Sequence, residues 1–276
     1  MGIRARFRTA LAVLGGLAVS SLGTTSAAAE DLRELCVDRP GKDTPPCIVD
    51  VGHAIVEVGG VGFSREADGG DRTVSYAIAD TLVRVGVTNR SEVQLSLAPY
   101  VIHHERDATG ERRTVRGAGD LVAAYKLNFA SQDGTGTSAA AQLFVSAPTG
   151  RRGIGSGAWE AGVFLPVSFD LPAGLSLTVD PEVDWRGDED GRGHHLAWAG
   201  VASLSHDLGG GIEGSAEVWT SLDRDPGGHR TEASADLALA WTPPSTRNLQ
   251  FDAEVDLGLT HDTADVEAAV GVAYRF

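Results

Sequence analysis

Between residue 50 and the C-terminus, apolar and polar side chains alternate one for one in segment after segment. In LQFDAEVDLGL, Leu249, Phe251, Ala253, Val255, Leu257 and Leu259 fall on one face, and Gln250, Asp252, Glu254, Asp256 and Gly258 on the other. In LSLTVDPEVDW, Leu175, Leu177, Val179, Pro181, Val183 and Trp185 oppose Ser176, Thr178, Asp180, Glu182 and Asp184. A period of two marks a strand with unlike faces. Strands are predicted over residues 51–63, 74–88, 91–104, 117–130, 138–147, 157–170, 174–186, 194–207, 211–222, 230–242, 247–259 and 264–276, separated by Gly, Asp, Asn, Pro and Ser. This gives about twelve strands and no helix after residue 29.

The segments exceed the ~5 to 6 residues usual in globular strands and suit the ~9 to 11 residues with which a tilted strand crosses a bilayer. Their polar face is too acidic for a packed core. A soluble sandwich also alternates, with its apolar face inward, but has no reason to treat its alternate connections differently. Here they differ. TNRS, ASQDGTGT, DLPAG, DLGGG and TPPSTRN are mostly short, with little charge; READGGDR, HERDATGERRTVR, PTGRRGIGSG, RGDEDGRGHH and LDRDPGGHR are mostly longer and charged, with THDT the short exception. Short periplasmic turns opposite longer external loops are the asymmetry of an outer-membrane barrel. The predicted fold is therefore all-β, an antiparallel up-and-down transmembrane β-barrel over residues 51–276, in the outer membrane of a Gram-negative bacterium. Its partners are then membrane lipid and an unidentified small-molecule substrate. A soluble periplasmic β-sandwich acting as a binding protein is the alternative. Trp159, Trp185 and Trp198 toward the outer strand ends, with Phe129, Phe169, Trp241, Tyr274 and Phe276 toward the periplasmic ends, would form two thin aromatic belts.

The remaining features concern export and closure. Arg4, Arg6 and Arg8 precede an apolar run from Thr9 to Leu22 and the small residues Ala27, Ala28 and Ala29. That order reads as a signal peptide over residues 1–29. Residues 30–50 follow as an irregular periplasmic segment carrying Cys36 and Cys47, the only cysteines among 276 residues. In an exported chain such a pair reads as a disulfide, worth ~3 kcal/mol in the chain-entropy model. The segment is also a candidate plug. A net charge of −15 argues against nucleic acid as a partner. The chain ends in GVAYRF, whose Tyr274 and Phe276 read as an assembly signal for the barrel assembly machinery and whose strand must pair with the first to leave no edge.

GAGDLVAAYKLNF (117–129), AAQLFVSAPTG (140–150) and AGVFLPVSFDLPAGLSLTVDPEVDW (161–185) together resemble the outer-membrane transporter family named for meta-pathway phenol degradation. TLVRVGVTNRSEVQLSLAPYV (81–101) is similar to that family's preceding hairpin, and DRPGKDTPPC to the leader of some members. The resemblance implies an outer-membrane barrel passing small, often aromatic or hydrophobic, molecules. It implies no cofactor and no catalytic residues.

The register turns Glu57, Arg84, Glu92, Gln94, Asp120, Lys126, Glu160, Asp180, Glu182, Asp184, Glu213, Glu217, Glu232, Asp236, Asp252, Glu254, Asp256, Glu267 and Arg275 inward. Such an acidic lumen would favour cations over anions; alternatively Arg84, Lys126, Arg186 and Arg275 pair the acids in an interior that carries little flux. In the loop RGDEDGRGHH, Asp188, Glu189, Asp190, His194 and His195 have the oxygen and nitrogen density to hold a divalent cation, but without an EF-hand pattern they read as ordinary solubilising charges, and no metal is expected. An enzyme is the less favoured class. GIGSG (153–157) has the spacing of a nucleophile elbow but no following helix, so a hydrolase or purely structural barrel remains an alternative to a channel.

Overall fold

The computed structural model describes residues 32–276, and the expected signal peptide lies outside them. Fifteen strand segments form one antiparallel sheet whose last strand pairs with the first. Three pairs of segments are single strands with a short break, so the sheet is a closed barrel of twelve staves. These are β1 (Ala54–Asp68), β2 (Asp71–Thr88), β3 (Ser91–Leu97 with Tyr100–Arg106), β4 (Arg112–Gly117 with Leu121–Ala130), β5 (Thr137–Ala147), β6 (Glu160–Phe164 with Val167–Leu171), β7 (Leu175–Gly187), β8 (His194–Gly209), β9 (Ile212–Asp225), β10 (Gly228–Trp241), β11 (Leu249–Gly258) and β12 (Val266–Arg275). Pro99 and Pro166 lie in two of the breaks, where the ladder needs no donor from them. Among the described residues no helix is long and apolar enough to cross a membrane.

The burial pattern is inverted relative to a soluble protein. Leu237, Val255, Leu257, Leu143 and Val218 are exposed, whereas Glu57, Arg84, Glu92, Lys126, Asp180 and Asp236 are buried. Apolar side chains thus face outward, and the closed ladder leaves no edge in the hydrocarbon, as lipid requires. Trp159, Trp185 and Trp198 are exposed, as are Phe129, Phe169, Trp241, Tyr274 and Phe276. The Tyr274 and Phe276 rings meet edge to face at 4.7 Å, and the Phe276 amide donates to the Ala54 carbonyl at the seam.

The strands reach further than the periodicity indicates. READGGDR, HERDATGERRTVR and LDRDPGGHR, expected as loops, are mostly strand, with turns left only at 69–70, 107–111 and 226–227. Once a hairpin projects beyond lipid both of its faces meet water, so charged side chains no longer interrupt it. Gly69 and Gly70 both adopt positive φ, as a two-residue hairpin turn of this hand requires. The pairing of β1 with β2 skips Gly60 and Ala79 together, passing from Gly59↔Asp80 to Val61↔Ile78. This irregularity exchanges the inward parity of both strands and places Gly59 and Gly62 on the same inner wall.

Val255 lies midway along β11 on the outer face. Val255→Arg is expected to lower barrel stability by ~2 to 4 kcal/mol, the cost of arginine near the bilayer midplane, measured by denaturant-dependent folding into lipid vesicles. A change near zero would place that face in water.

Candidate functional site

Arg33 to Asp50 fill much of the lumen. The segment enters and leaves at the rim that carries the C-terminus, where Arg33 Nε meets Asp50 Oδ1 at 2.7 Å. Arg275 Nη1 donates to the Arg33 carbonyl at 2.7 Å and reaches Asp50 at 3.2 Å. Cys36 and Cys47 are disulfide-bonded with their Cα atoms 6.0 Å apart, closing the loop that projects inward. Val49 packs with Ile55 and Ala273, beside Leu35 and Val37, as a small apolar seat against the seam.

Above that seat the wall supplies the cations. Arg84 on β2 bonds Glu92 on β3 at 2.8 Å, Glu57 on β1 at 3.2 Å and Asp38 of the segment at 2.7 Å. It also donates to the Cys36 carbonyl. Lys126 on β4 donates to Asp38 and to the Pro45 carbonyl, and Asn128 to the Pro46 carbonyl. Glu92 and Glu57 in turn accept the amides of Val49 and Asp38. Arg84, Lys126, Glu57 and Glu92 are fully buried. Such charges are tolerable only because each one is paired and hydrogen-bonded.

Deeper in, the polarity reverses and the segment supplies the cations. Arg39 bonds Asp252 at 2.9 Å, and Lys42 Nζ bonds Asp256 at 2.6 Å and Glu267 at 3.2 Å. The Lys42 ammonium also lies 5.8 Å from the centre of the Trp219 ring. Burial works against this ammonium, but Asp256 and Glu267 outweigh it and hold its pKa above the ordinary lysine value. The backbone at the tip is held by carboxylates as well: the amides of Gly41, Lys42 and Thr44 donate to Glu254, Glu217 and Asp180. Gly41, at φ +96°, lies so close to Glu217 that any side chain would collide with it. Asp43 adds an acid to this end, and burial, reinforced by Glu217 and Asp180, pushes its pKa well up.

Beyond the tip lies a cavity of about 420 Å³. One wall is Gly59, Gly62, Ser64, Ser75, Ala77 and Asp80; the other carries Glu254, Asp256 and Glu267, with Arg39 and Lys42 at its base. One register row dominates the second wall. Glu217 on β9 pairs with Asp236 on β10, Asp236 with Asp256 on β11, and Asp256 with Glu267 on β12. Four carboxylates therefore stand side by side on neighbouring strands, where like charges repel.

The expected inward residues separate into groups. Arg84, Glu92, Lys126, Asp180, Glu217, Asp252, Glu254, Asp256 and Glu267 touch the segment. Asp236, nearly buried, stands in the carboxylate row. Asp184 is tied to Arg186 at 2.7 Å, and Glu160 accepts the Gly187 amide; Glu182 and Glu232 are partly buried on β7 and β10. Two residues depart from the expectation. Asp120 sits in the β4 break and accepts the amides of Gly150 and Ser156, fastening a loop. Glu213 is exposed near the C-terminal rim, because β9 has only just begun there. Ser156, the serine of GIGSG, likewise donates to Asp120 and the Ala158 carbonyl.

The acidic outer loop region groups carboxylates around His195. Asp188 Oδ1 lies 2.8 Å from His195 Nδ1, with Asp225 Oδ2 at 3.6 Å and Asp223 Oδ1 at 2.8 Å from Nε2. Asp188, His195 and Asp225 are spaced to hold a cation, and an imidazolium bridging the carboxylates satisfies the same geometry. Glu189 instead pairs with Arg230, Asp190 caps its own turn, and His194 stacks on Trp185. Sequence reasoning missed the tip residues Arg39, Lys42 and Asp43 and the inward Trp219. For Trp219 the signal was present, since it shares the parity of Glu217.

The NanC porin superposes with a TM-score of 0.52 at 9% identity, over 79% of this chain and 98% of that one. The β domain of the Bordetella autotransporter BrkA gives 0.50 at 10% identity, over 82% and 100%. The CymD monoaromatic hydrocarbon channel gives 0.46 at 8% identity, over 81% and 87%. The first two likenesses, at such identity, show a shared fold, that of outer-membrane barrels. No curated protein matches the sequence. Residues 37–276 match the family described as "Putative MetA-pathway of phenol degradation", and this closed barrel with its apolar exterior is an outer-membrane protein belonging to that family.

Proposed function

We propose that the protein is an outer-membrane channel for small molecules that is closed at rest by its own segment Arg33–Asp50. The observation that carries the reading is the seating of this segment. It bonds to inward side chains on β1, β2, β3, β4, β7, β9, β11 and β12, yet leaves an open cavity above its tip. A barrel needed only as a scaffold has no use for an unfilled upper lumen. The segment is also held chiefly by polar bonds, which water can replace on opening. Solutes are drawn from small neutral or cationic compounds, because the surplus of carboxylates around the cavity repels anions. The family's description makes phenolic compounds the first neutral solutes to assay. Both chain ends of the segment, Arg33 and Asp50, face the rim of the short turns, which is the periplasmic rim on this reading.

In planar bilayers the wild-type barrel is expected to be mostly closed. Exchanging Arg39 and Lys42 for Gln together should raise open probability about tenfold or more, since each removes an ion pair worth at least the ~1.4 kcal/mol that a tenfold shift requires. An unchanged, silent barrel would leave the scaffold reading in place. In the open variant a salt gradient should reveal a preference for cations, and Asp236→Asn with Asp256→Asn should reduce it toward unity; a preference for anions would refute the acidic-lumen reading.

Closure should also respond to pH through Asp43. Its pKa is raised in the docked state, so docking takes up a proton wherever the free carboxyl is ionised; docking therefore weakens as pH rises from the ordinary carboxylate range toward the raised value. Open probability is therefore expected to rise as pH is raised above the ordinary carboxylate range, and Asp43→Asn should flatten that rise.

A further inference from the structure

The carboxylate row Glu217–Asp236–Asp256–Glu267 holds one ammonium, that of Lys42. The Asp236 and Asp256 side chains are both nearly buried, and each keeps one oxygen, Oδ1, without a hydrogen-bond partner among the described residues. Buried carboxylate oxygens without partners are costly, and four acids around one ammonium make this row a strong attractor for a cation in the place Lys42 takes. The surroundings are not those of a bare-metal site. Trp219 offers a ring face to the ammonium, and the cavity next to Lys42 is bordered by Gly59, Gly62 and Ala77, with Asp80 paired to Gly59. A ring face suits a cation carrying an organic group; strongly hydrated small ions gain little from it.

We propose that this row is a binding site for small organic ammonium compounds, and that Lys42 occupies it as a tethered stand-in for such a ligand. The proposal rests on the channel reading, whose substrate class it narrows. The Lys42 side chain ends as a primary alkylammonium, so its contacts show what a free amine would receive: a carboxylate at 2.6 Å, a second at 3.2 Å and an indole face. Occupancy by Lys42 and by a free amine is then competitive. A tethered ligand competes at millimolar effective concentration, so an amine entering the cavity both fills the row and loosens the tip of the segment.

The test uses the full barrel refolded in detergent micelles, with benzylammonium chloride as probe and isothermal titration calorimetry as readout. Wild type should bind weakly, and Lys42→Gln about tenfold or more tightly because the competitor is gone. Asp256→Asn added to Lys42→Gln should reverse that gain, and Trp219→Leu should weaken benzylammonium binding while leaving any potassium binding unchanged. Equal affinity in wild type and Lys42→Gln, indifference to Asp256→Asn, or equally strong displacement by potassium chloride would overturn the proposal. Lys42→Met, which keeps the aliphatic stem, replaces Lys42→Gln if the latter does not refold. Wild type provides a further check, since its weaker binding must also be lost on Asp256→Asn. The measurement involves no flux, so it is separable from the channel reading. Binding without conductance in bilayers refutes the channel alone, and conductance without binding refutes the ammonium site alone.

Discussion

A closed sheet in lipid must send its polar side chains inward, and inward charges on adjacent strands face one another at close range. That constraint organises this molecule. Its interior holds many more carboxylates than bases, and the row from β9 to β12 places four of them in register. Like charges so placed destabilise a sheet unless cations come between them. The wall's bases Arg84 and Lys126 are committed elsewhere, to Glu57, Glu92 and Asp38. The segment Arg33–Asp50 meets the requirement by bringing Arg39 and Lys42 to the acids of β11 and β12.

The two tiers of this contact have opposite polarity, and this fixes the depth of the segment. Near the seam, wall cations grasp an acid and carbonyl groups of the segment; further in, wall acids grasp its cations and amides. A shift along the barrel axis by one tier would set Asp38 against the acids and Lys42 against Arg84. The segment is thus registered by charge sign, much as a strand is registered by the alternation of its faces. Gly41 completes the fit, since the tip passes Glu217 with no room for a β-carbon.

Much of the barrel was legible in the sequence because its physics is local. The alternation in LSLTVDPEVDW and LQFDAEVDLGL reads out β7 and β11 directly, and Cys36 and Cys47 announce their disulfide. Strand ends were harder. Charge in READGGDR looks like loop because lipid normally stops a strand's pattern, but a hairpin continuing into water has no such limit. Asp120 follows the inward parity yet serves a loop, since the β4 break separates it from the ladder. The site itself was the least legible part. Arg39 meets Asp252, and Arg275 meets the Arg33 carbonyl, across most of the chain, and no periodicity encodes which carboxylate a distant lysine will find. What the sequence does hold is an acid surplus on one face and two bases in a short cysteine-closed loop.

The seam has a consequence for the order of events during assembly. Arg33–Asp50 precedes every strand in the chain, yet its partners include Glu57 on the first strand and Asp252, Asp256, Glu267 and Arg275 on the last two. Those partners surround one space only after β12 has met β1, so the loop made earliest settles last, when the loop-closure entropy has already been spent by the wall. A barrel caught open at the seam would leave its interior acids facing water and its leading loop unattached. The seated loop therefore depends on completion: only a barrel closed between β12 and β1 offers it all of these partners at once.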